Sequence, residues 1–364
     1  MDIGQHPLGP GKPTYVVAEL SANHGQRFEH AARLVELAKS AGADAVKVQT
    51  YTADTLTIRS DREWFRISGG TLWDGRSLYD LYGEAFMPWE WQPKLKAIAD
   101  NLQIDFFSTP FDASAVDFLD RMNLPAFKIA SFEIVDLPLI RRIARTGKPM
   151  ILSTGMASRE EITEAVNTFR QAGGEQLALL KCTSAYPARP DEMNLRTMGH
   201  MAKTFNVPVG LSDHTLGTAV PVAAVALGAS IVEKHFTSSR MLKGPDTSFS
   251  LEPDEFKEMV IAIRTAEKAL GSVHYGVSPD EEKNLRFRRS LFVVADVKAG
   301  EFFTVANIGS IRPWDGLHPR YLEEILGRAA AKDIERGTPL TWDLISDEPP
   351  ITAHRSRGNR HVEL

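Results

Sequence analysis

Two short apolar runs in this 364-residue chain close on histidine. VPVGLSDH (207–214) ends in Asp213 and His214, and SIVEKHF (230–236) carries Glu233, Lys234 and His235. Runs of this kind belong in buried strands, whereas an imidazole at the strand end belongs to a site. Two imidazoles on neighbouring strands, with the carboxylates Glu19 and Asp246 nearby, make a donor set suited to Mn²⁺, Fe²⁺, Co²⁺ or Zn²⁺. The absence of cysteine ligands argues against a structural zinc.

The lysines carry as much information. Lys47 and Gln49 alternate along AVKVQ and therefore face one side, and Lys128 sits inside AFKIAS. Lysine in a buried strand requires a partner. With the hydroxyls of Thr109, Ser131, Ser184 and Ser212, two ammonium groups would cradle a small, multiply charged anion of the phosphate-carboxylate type. Two other chemistries fit the same lysines: internal ion pairs to Glu19 and Glu133, or a Schiff base.

Eight short apolar runs supply these groups: 15–20, 43–49, 104–109, 126–131, 149–154, 177–183, 207–213 and 230–236. Amphipathic stretches such as FEHAARLVELAKSAG and SREEITEAVNTFRQAG lie between them, with apolar positions every three to four residues and Gly at their ends. Eight strand-helix units predict an α/β fold of the (β/α)₈ TIM-barrel type, whose active site lies at the C-terminal ends of the strands. No G-x-G-x-x-G follows the first strand, so a doubly wound dinucleotide fold is not supported.

The interval between the second and third strands is about twice the others. It holds residues 51–91, rich in aromatics and charge. A long βα insertion in a barrel is usually a functional loop. Beyond residue 272 a polar connector (273–288) leads to short β-like pieces with Gly turns (289–349), which predict a small second domain. The polar tail 350–364 is expected to be disordered.

Composition narrows the class. The net charge of −5 carries no long block of one sign, which argues against nucleic acid. The single cysteine, Cys182, forms no internal disulfide and fits a reducing cytoplasm. No run reaches the roughly 18–20 apolar residues of a membrane span, and the N-terminus has no signal-peptide core.

The ordered segments AELSANHG, VKVQTY, FSTPFD, FKIASFE, LSTGM, KCTSAYP, GLSDHT, EKHFT and GPD closely resemble the sialic acid synthase family, over about residues 13–345. The stretch VVADVKAGEFFTVANI with IRP resembles that family's C-terminal antifreeze-like (SAF, β-clip) domain. LWDGRSLYDLYGEAFMPWEW and KCTSAYPA are similar to its pseudaminic acid branch; the sialic acid branch carries Asn where this chain has Ser184.

The resemblance implies condensation of phosphoenolpyruvate with an amino-sugar aldehyde, 2,4-diacetamido-2,4,6-trideoxy-L-altrose in that branch. It implies a divalent metal on His214 and His235, usually Mn²⁺, with Mg²⁺ or Co²⁺ as substitutes. Lys47 and Thr109 would take the carboxylate of phosphoenolpyruvate, and Lys128, Ser131, Ser184 and Ser212 its phosphate. Glu19, Gln49, Tyr186 and Asp246 would orient the sugar, and Glu133 would be the acid/base, with Glu19 and Glu133 both open as the group activating water. A domain-swapped homodimer is implied, with Arg312 reaching the neighbouring barrel. In the insertion, Trp73, Tyr79 and Tyr82 are candidates for selecting the sugar. Competing readings are synthases acting on N-acetylmannosamine or the legionaminic acid precursor, a metal-dependent barrel aldolase, and a non-enzymatic ice-binding module.

Overall fold

The computed structural model describes residues 1–347. The tail 350–364 and the end of the 289–349 segment lie outside the described residues. The chain divides into two compact units, Met1–Gly271 and Ser272–Leu364.

The first unit is a closed parallel barrel. Its strands are β1 (Tyr15–Glu19), β2 (Ala45–Thr50), β3 (Asp105–Pro110), β4 (Phe127–Ile129), β5 (Met150–Ser153), β6 (Leu177–Cys182), β7 (Val209–Asp213) and β8 (Ile231–His235). They pair in chain order, and β8 closes back onto β1. The outer helices form where apolar spacing and caps coincide. The helix Arg159–Gln171 starts on a capping box, in which Ser158 Oγ accepts from Glu161 N at 3.1 Å and Glu161 Oε2 accepts from Ser158 N at 2.7 Å. It buries Ile162, Ala165, Val166 and Phe169, one face at a spacing of three to four.

Alternation along each strand separates two environments. Outward residues such as Val16, Val46 and Phe106 pack under the helices. Inward residues at the N-terminal end, including Val17, Phe107, Ile151 and Leu180, form a separate apolar layer inside the barrel, which Ile3 and Leu8 of the N-terminal segment join. Above that layer the inward residues turn polar. The register places Glu19 beside Lys47, Gln49 beside Thr109, Ser212 beside Glu233, and His235 beside Glu19.

The 51–91 insertion has structure of its own, including the helix Leu78–Ala85 capped by Ser77. The second unit contains an antiparallel pair, β9 (Ser290–Val293) with β10 (Ile308–Ile311), around a core of Leu291, Val293, Phe303, Ile308, Ile325 and Leu340. No helix among the described residues is long and apolar enough to cross a membrane.

Candidate active site

The polar groups at the strand ends form one buried network. Lys47 Nζ lies 2.7 Å from Glu19 Oε2, 3.5 Å from Glu233 Oε1 and 3.1 Å from Thr109 Oγ1. Lys128 Nζ lies 3.8 Å from Glu233 Oε2 and donates to Ser153 Oγ at 2.7 Å. Ser212 Oγ is 3.5 Å from Glu233 Oε1. Two ammonium groups therefore straddle one carboxylate, and that carboxylate is Glu233. Of the chemistries open to these lysines, internal ion pairs are present, with Glu19 as one partner and Glu233, not Glu133, as the other.

Electrostatics follows this geometry. Burial opposes the charge on Lys47, but Glu19 and Glu233 outweigh it and hold its pKa above the ordinary lysine value. Burial wins at Lys128, whose pKa is lowered, with Glu233 resisting and Lys47 assisting. Burial also raises Glu19, against the pull of Lys47, whereas Glu233 is held low because Lys128 and Lys47 overcome its burial.

A second set of hydroxyls converges from three loops. Ser131, just after β4, accepts from Gly155 N at 3.1 Å. Ser184 follows β6 and approaches the same glycine: a β-carbon at 155 would lie 2.2 Å from Ser184 Oγ and 2.7 Å from Ser131 Oγ. Glycine at 155 is what lets both hydroxyls and one backbone N–H crowd one point.

The carboxylate Glu133, on the turn after β4, has a buried Oε2 with no partner among the described residues. Burial pushes its pKa up to about 7, with Lys128 opposing and Asp136 adding to the rise. Gln49 Nε2 donates to Glu19 Oε1 at 2.9 Å and to Ser21 Oγ at 3.3 Å. Ser21 in turn donates to Asp246. This chain runs from the barrel interior to the loop after β8. Burial raises Asp246, which Ser21 partly offsets.

The two histidines meet as expected. Their ring centroids are 5.3 Å apart. His214 Nδ1 donates to the Thr183 carbonyl at 2.9 Å, which frees the Nε2 lone pair. His235 Nδ1 is buried without a partner among the described residues. Burial and the neighbouring positive groups hold His235 well below the usual imidazole range, so its ring is neutral. Tyr186 packs on His214 at 4.3 Å between centroids and edges His235 at 6.3 Å, with Phe249 beside Tyr186 and His235. Asp213 and Lys234 point the other way. They pair at 2.5 Å on the outer face, both about 1% exposed, and have no part in the site.

Not every polar strand-end residue joins the site. Asn23 donates to the Phe236 carbonyl and Ser250, and His24 is buried edge-on against Trp91. Tyr79 is tied to Asp54 through its hydroxyl, beneath Arg59. Arg312 follows β10 in the second unit and is exposed.

The sequence pattern of the NeuB family matches residues 34–275. The chain belongs to the NeuB family. An SAF domain match covers residues 288–346. Among relatives, the chain is 47% identical to a pseudaminic acid synthase of Campylobacter jejuni subsp. jejuni over 340 residues, covering 93% of this chain and 98% of the relative. It is 38% identical to an N,N'-diacetyllegionaminic acid synthase of Campylobacter jejuni, over 88% and 97%. A solved structure, the spore coat polysaccharide biosynthesis protein SpsE of Bacillus subtilis, superposes with a TM-score of 0.64 at 36% identity, over 96% of this chain and 99% of that one.

Synthases of the NeuB family are metal-dependent. The residues here suit such a group. Two buried imidazoles stand side by side, His235 with its Nδ1 unpartnered among the described residues and His214 bonded through Nδ1, while no group of three or more His, Cys, Asp or Glu side chains is placed to hold a metal ion among the described residues.

The structure adds groups that the sequence reading did not assign. Cys182 lies inside the barrel, its Sγ 3.9 Å from both Ser184 Oγ and His214 Nδ1. Burial opposes its ionisation, yet His214 draws its pKa down to about 6. Ser153 anchors Lys128. Both were within reach of strand alternation: Leu180 and Ile151 point inward, so Cys182 and Ser153, two residues on, do too.

Proposed function

We propose that this chain is a pseudaminic acid synthase, condensing phosphoenolpyruvate with 2,4-diacetamido-2,4,6-trideoxy-L-altrose and water to give pseudaminic acid and phosphate. The observation that carries this reading is the buried pair Lys47 and Lys128 with the converging hydroxyls, beside the two facing histidines His214 and His235. Identity of 47% to a synthase of that name favours this acceptor, against 38% for the legionaminic acid enzyme.

In this reading Lys47 and Thr109 hold the carboxylate of phosphoenolpyruvate, and Lys128, Ser131, Ser184 and Ser212 hold its phosphate. His214 and His235 would hold a divalent metal, Mn²⁺ above Mg²⁺ or Co²⁺, which supplies Lewis-acid polarisation of the sugar aldehyde. Gln49, Tyr186 and Asp246 orient the acceptor so that its aldehyde carbon meets C3 of the enol. The new C–C bond uses the enol π electrons, leaving positive charge at C2, which Glu19 stabilises. Water adds at C2, the C2–O bond to phosphate breaks, and the aldehyde oxygen gains a proton. Glu133 takes the proton from water: Glu19 is ion-paired to Lys47 and accepts from Gln49, whereas Glu133 Oε2 has no partner among the described residues and is poised near neutrality.

The barrel of residues 1–272 would carry this chemistry in the cytoplasm, and Arg312 of the 289–349 domain would serve the barrel of a second copy in a domain-swapped homodimer. Phosphate release from phosphoenolpyruvate tests the reading. Release requires the altrose acceptor and Mn²⁺ and stops on chelation. Release without acceptor, or none with it, refutes the assignment.

A further inference from the structure

We propose that Trp73 is the specificity-determining residue of the acceptor site, forming an apolar wall that selects a sugar lacking the C6 hydroxyl. This rests on the reading that the barrel mouth takes an amino-sugar aldehyde. Of the three aromatic candidates in the insertion, only Trp73 reaches the histidine end of the site by direct contact. Its indole packs on Tyr186 at 5.7 Å between centroids, and Tyr186 itself lies on His214. Its Nε1–H donates to the Pro245 carbonyl at 3.2 Å, one residue before Asp246. Tyr82 packs on Tyr51, and Tyr79 is taken up by Asp54 and Arg59.

Trp73 is presented by a preformed turn. Gly75 N donates to the Ile67 carbonyl at 2.8 Å, and Ile67 N to the Arg76 carbonyl at 2.9 Å. Asp74 clamps the tip, accepting from Gly70 N at 2.8 Å and from Thr71 N at 2.9 Å. Gly70 and Gly75 adopt φ of +85° and +86°, a region open to glycine at little cost. The turn therefore sets the indole between the loops after β6 and β8 before any ligand arrives.

The mouth is consequently two-sided. The chain Glu19–Gln49–Ser21–Asp246 offers hydrogen-bonding groups, and Trp73 with Tyr186 and Phe249 offers an aromatic face. A deoxy carbon and acetamido methyl groups bury against aromatic carbon without cost, whereas a hydroxymethyl there loses its water partners. An apolar wall discriminates by a modest factor, about 10- to 200-fold.

The test compares wild type, Trp73→Ala and Trp73→Phe in the full chain. Each is assayed with Mn²⁺, phosphoenolpyruvate and either the trideoxy-diacetamido-altrose or N-acetylmannosamine. For Trp73→Ala we expect at least a tenfold rise in acceptor KM, a similar fall in preference for the deoxy sugar, and an unchanged KM for phosphoenolpyruvate. Trp73→Phe keeps the aromatic wall but loses the bond to Pro245, and is expected to retain most of the preference. Equal preference in wild type and Trp73→Ala overturns the inference alone. A wild type inactive on both sugars overturns the functional reading and this inference with it. If both variants lose preference equally, the Pro245 bond rather than the wall is responsible, and the inference fails.

Discussion

Gly155→Ala isolates the phosphate cradle from the rest of the site. An alanine β-carbon there falls 2.2 Å from Ser184 Oγ and 2.7 Å from Ser131 Oγ, so both hydroxyls must turn away. A hydrogen bond to a charged group is worth about 1.5–3 kcal/mol. Losing one therefore costs roughly 10- to 150-fold in affinity for phosphoenolpyruvate, and losing both costs more. Crowding also lowers stability, by about 1–3 kcal/mol. The assay is steady-state phosphate release, varying phosphoenolpyruvate at saturating acceptor and then the reverse, alongside thermal unfolding. A large rise in KM for phosphoenolpyruvate is expected, with acceptor KM nearly constant. The double variant Gly155→Ala/Ser184→Ala removes the nearest clash and leaves only Ser131 Oγ, at 2.7 Å, to turn aside. It should regain much of the lost stability while affinity stays weak. A folded Gly155→Ala protein whose KM for phosphoenolpyruvate lies within twofold of wild type would refute the cradle.

Other perturbations reach separate parts of the structure. Replacing His214 or His235 by Ala should abolish turnover and Mn²⁺ binding by calorimetry while circular dichroism stays native; retained binding in both would remove their role as ligands. Glu133 has a native pKa of about 7 against an ordinary 4.5. Its raised value favours the folded state below pH 4.5, and that advantage is lost as pH rises through 7. Glu133→Gln should therefore be more stable than wild type at pH 8, by up to ~3 kcal/mol, with no gain at pH 4; a pH-independent difference contradicts the burial effect. Lys234→Met leaves Asp213 buried and unpaired, and should cost about 3–5 kcal/mol in unfolding with little change in KM; a large KM effect would return the pair to the site. Refolding Arg312→Ala with His214→Ala should restore about a quarter of wild-type sites if each Arg312 serves a partner's barrel, and no recovery would exclude the swap.

The barrel was legible because buried parallel strands leave short apolar runs at regular spacing. The site was legible where polar residues interrupt them: Lys47, Lys128, His214 and His235 meet as alternation requires. Sequence did not distinguish Asp213 from His214, or Lys234 from His235, as inward or outward. Adjacent polar residues on one strand give no sign of which faces the core. Its ion-pair alternative named Glu19 and Glu133 and missed Glu233, because the register across the barrel that brings Glu233 between Lys47 and Lys128 is not a local property. The convergence on Gly155 joins loops after three different strands, and only tertiary structure records it. Trp73, Tyr79 and Tyr82 are alike in sequence; their partners separate them.

The most direct measurement offers the protein, with phosphoenolpyruvate and Mn²⁺, an equimolar mixture of the trideoxy-diacetamido-altrose, the legionaminic acid precursor and N-acetylmannosamine. Mass spectrometry and NMR then identify the nine-carbon product, and phosphate is quantified in parallel. Pseudaminic acid as the dominant product, matched one to one by phosphate, is the predicted result. Dominant legionaminic or N-acetylneuraminic acid would keep the chemistry of the site and contradict its acceptor, and phosphate without any nine-carbon acid would contradict the condensation itself.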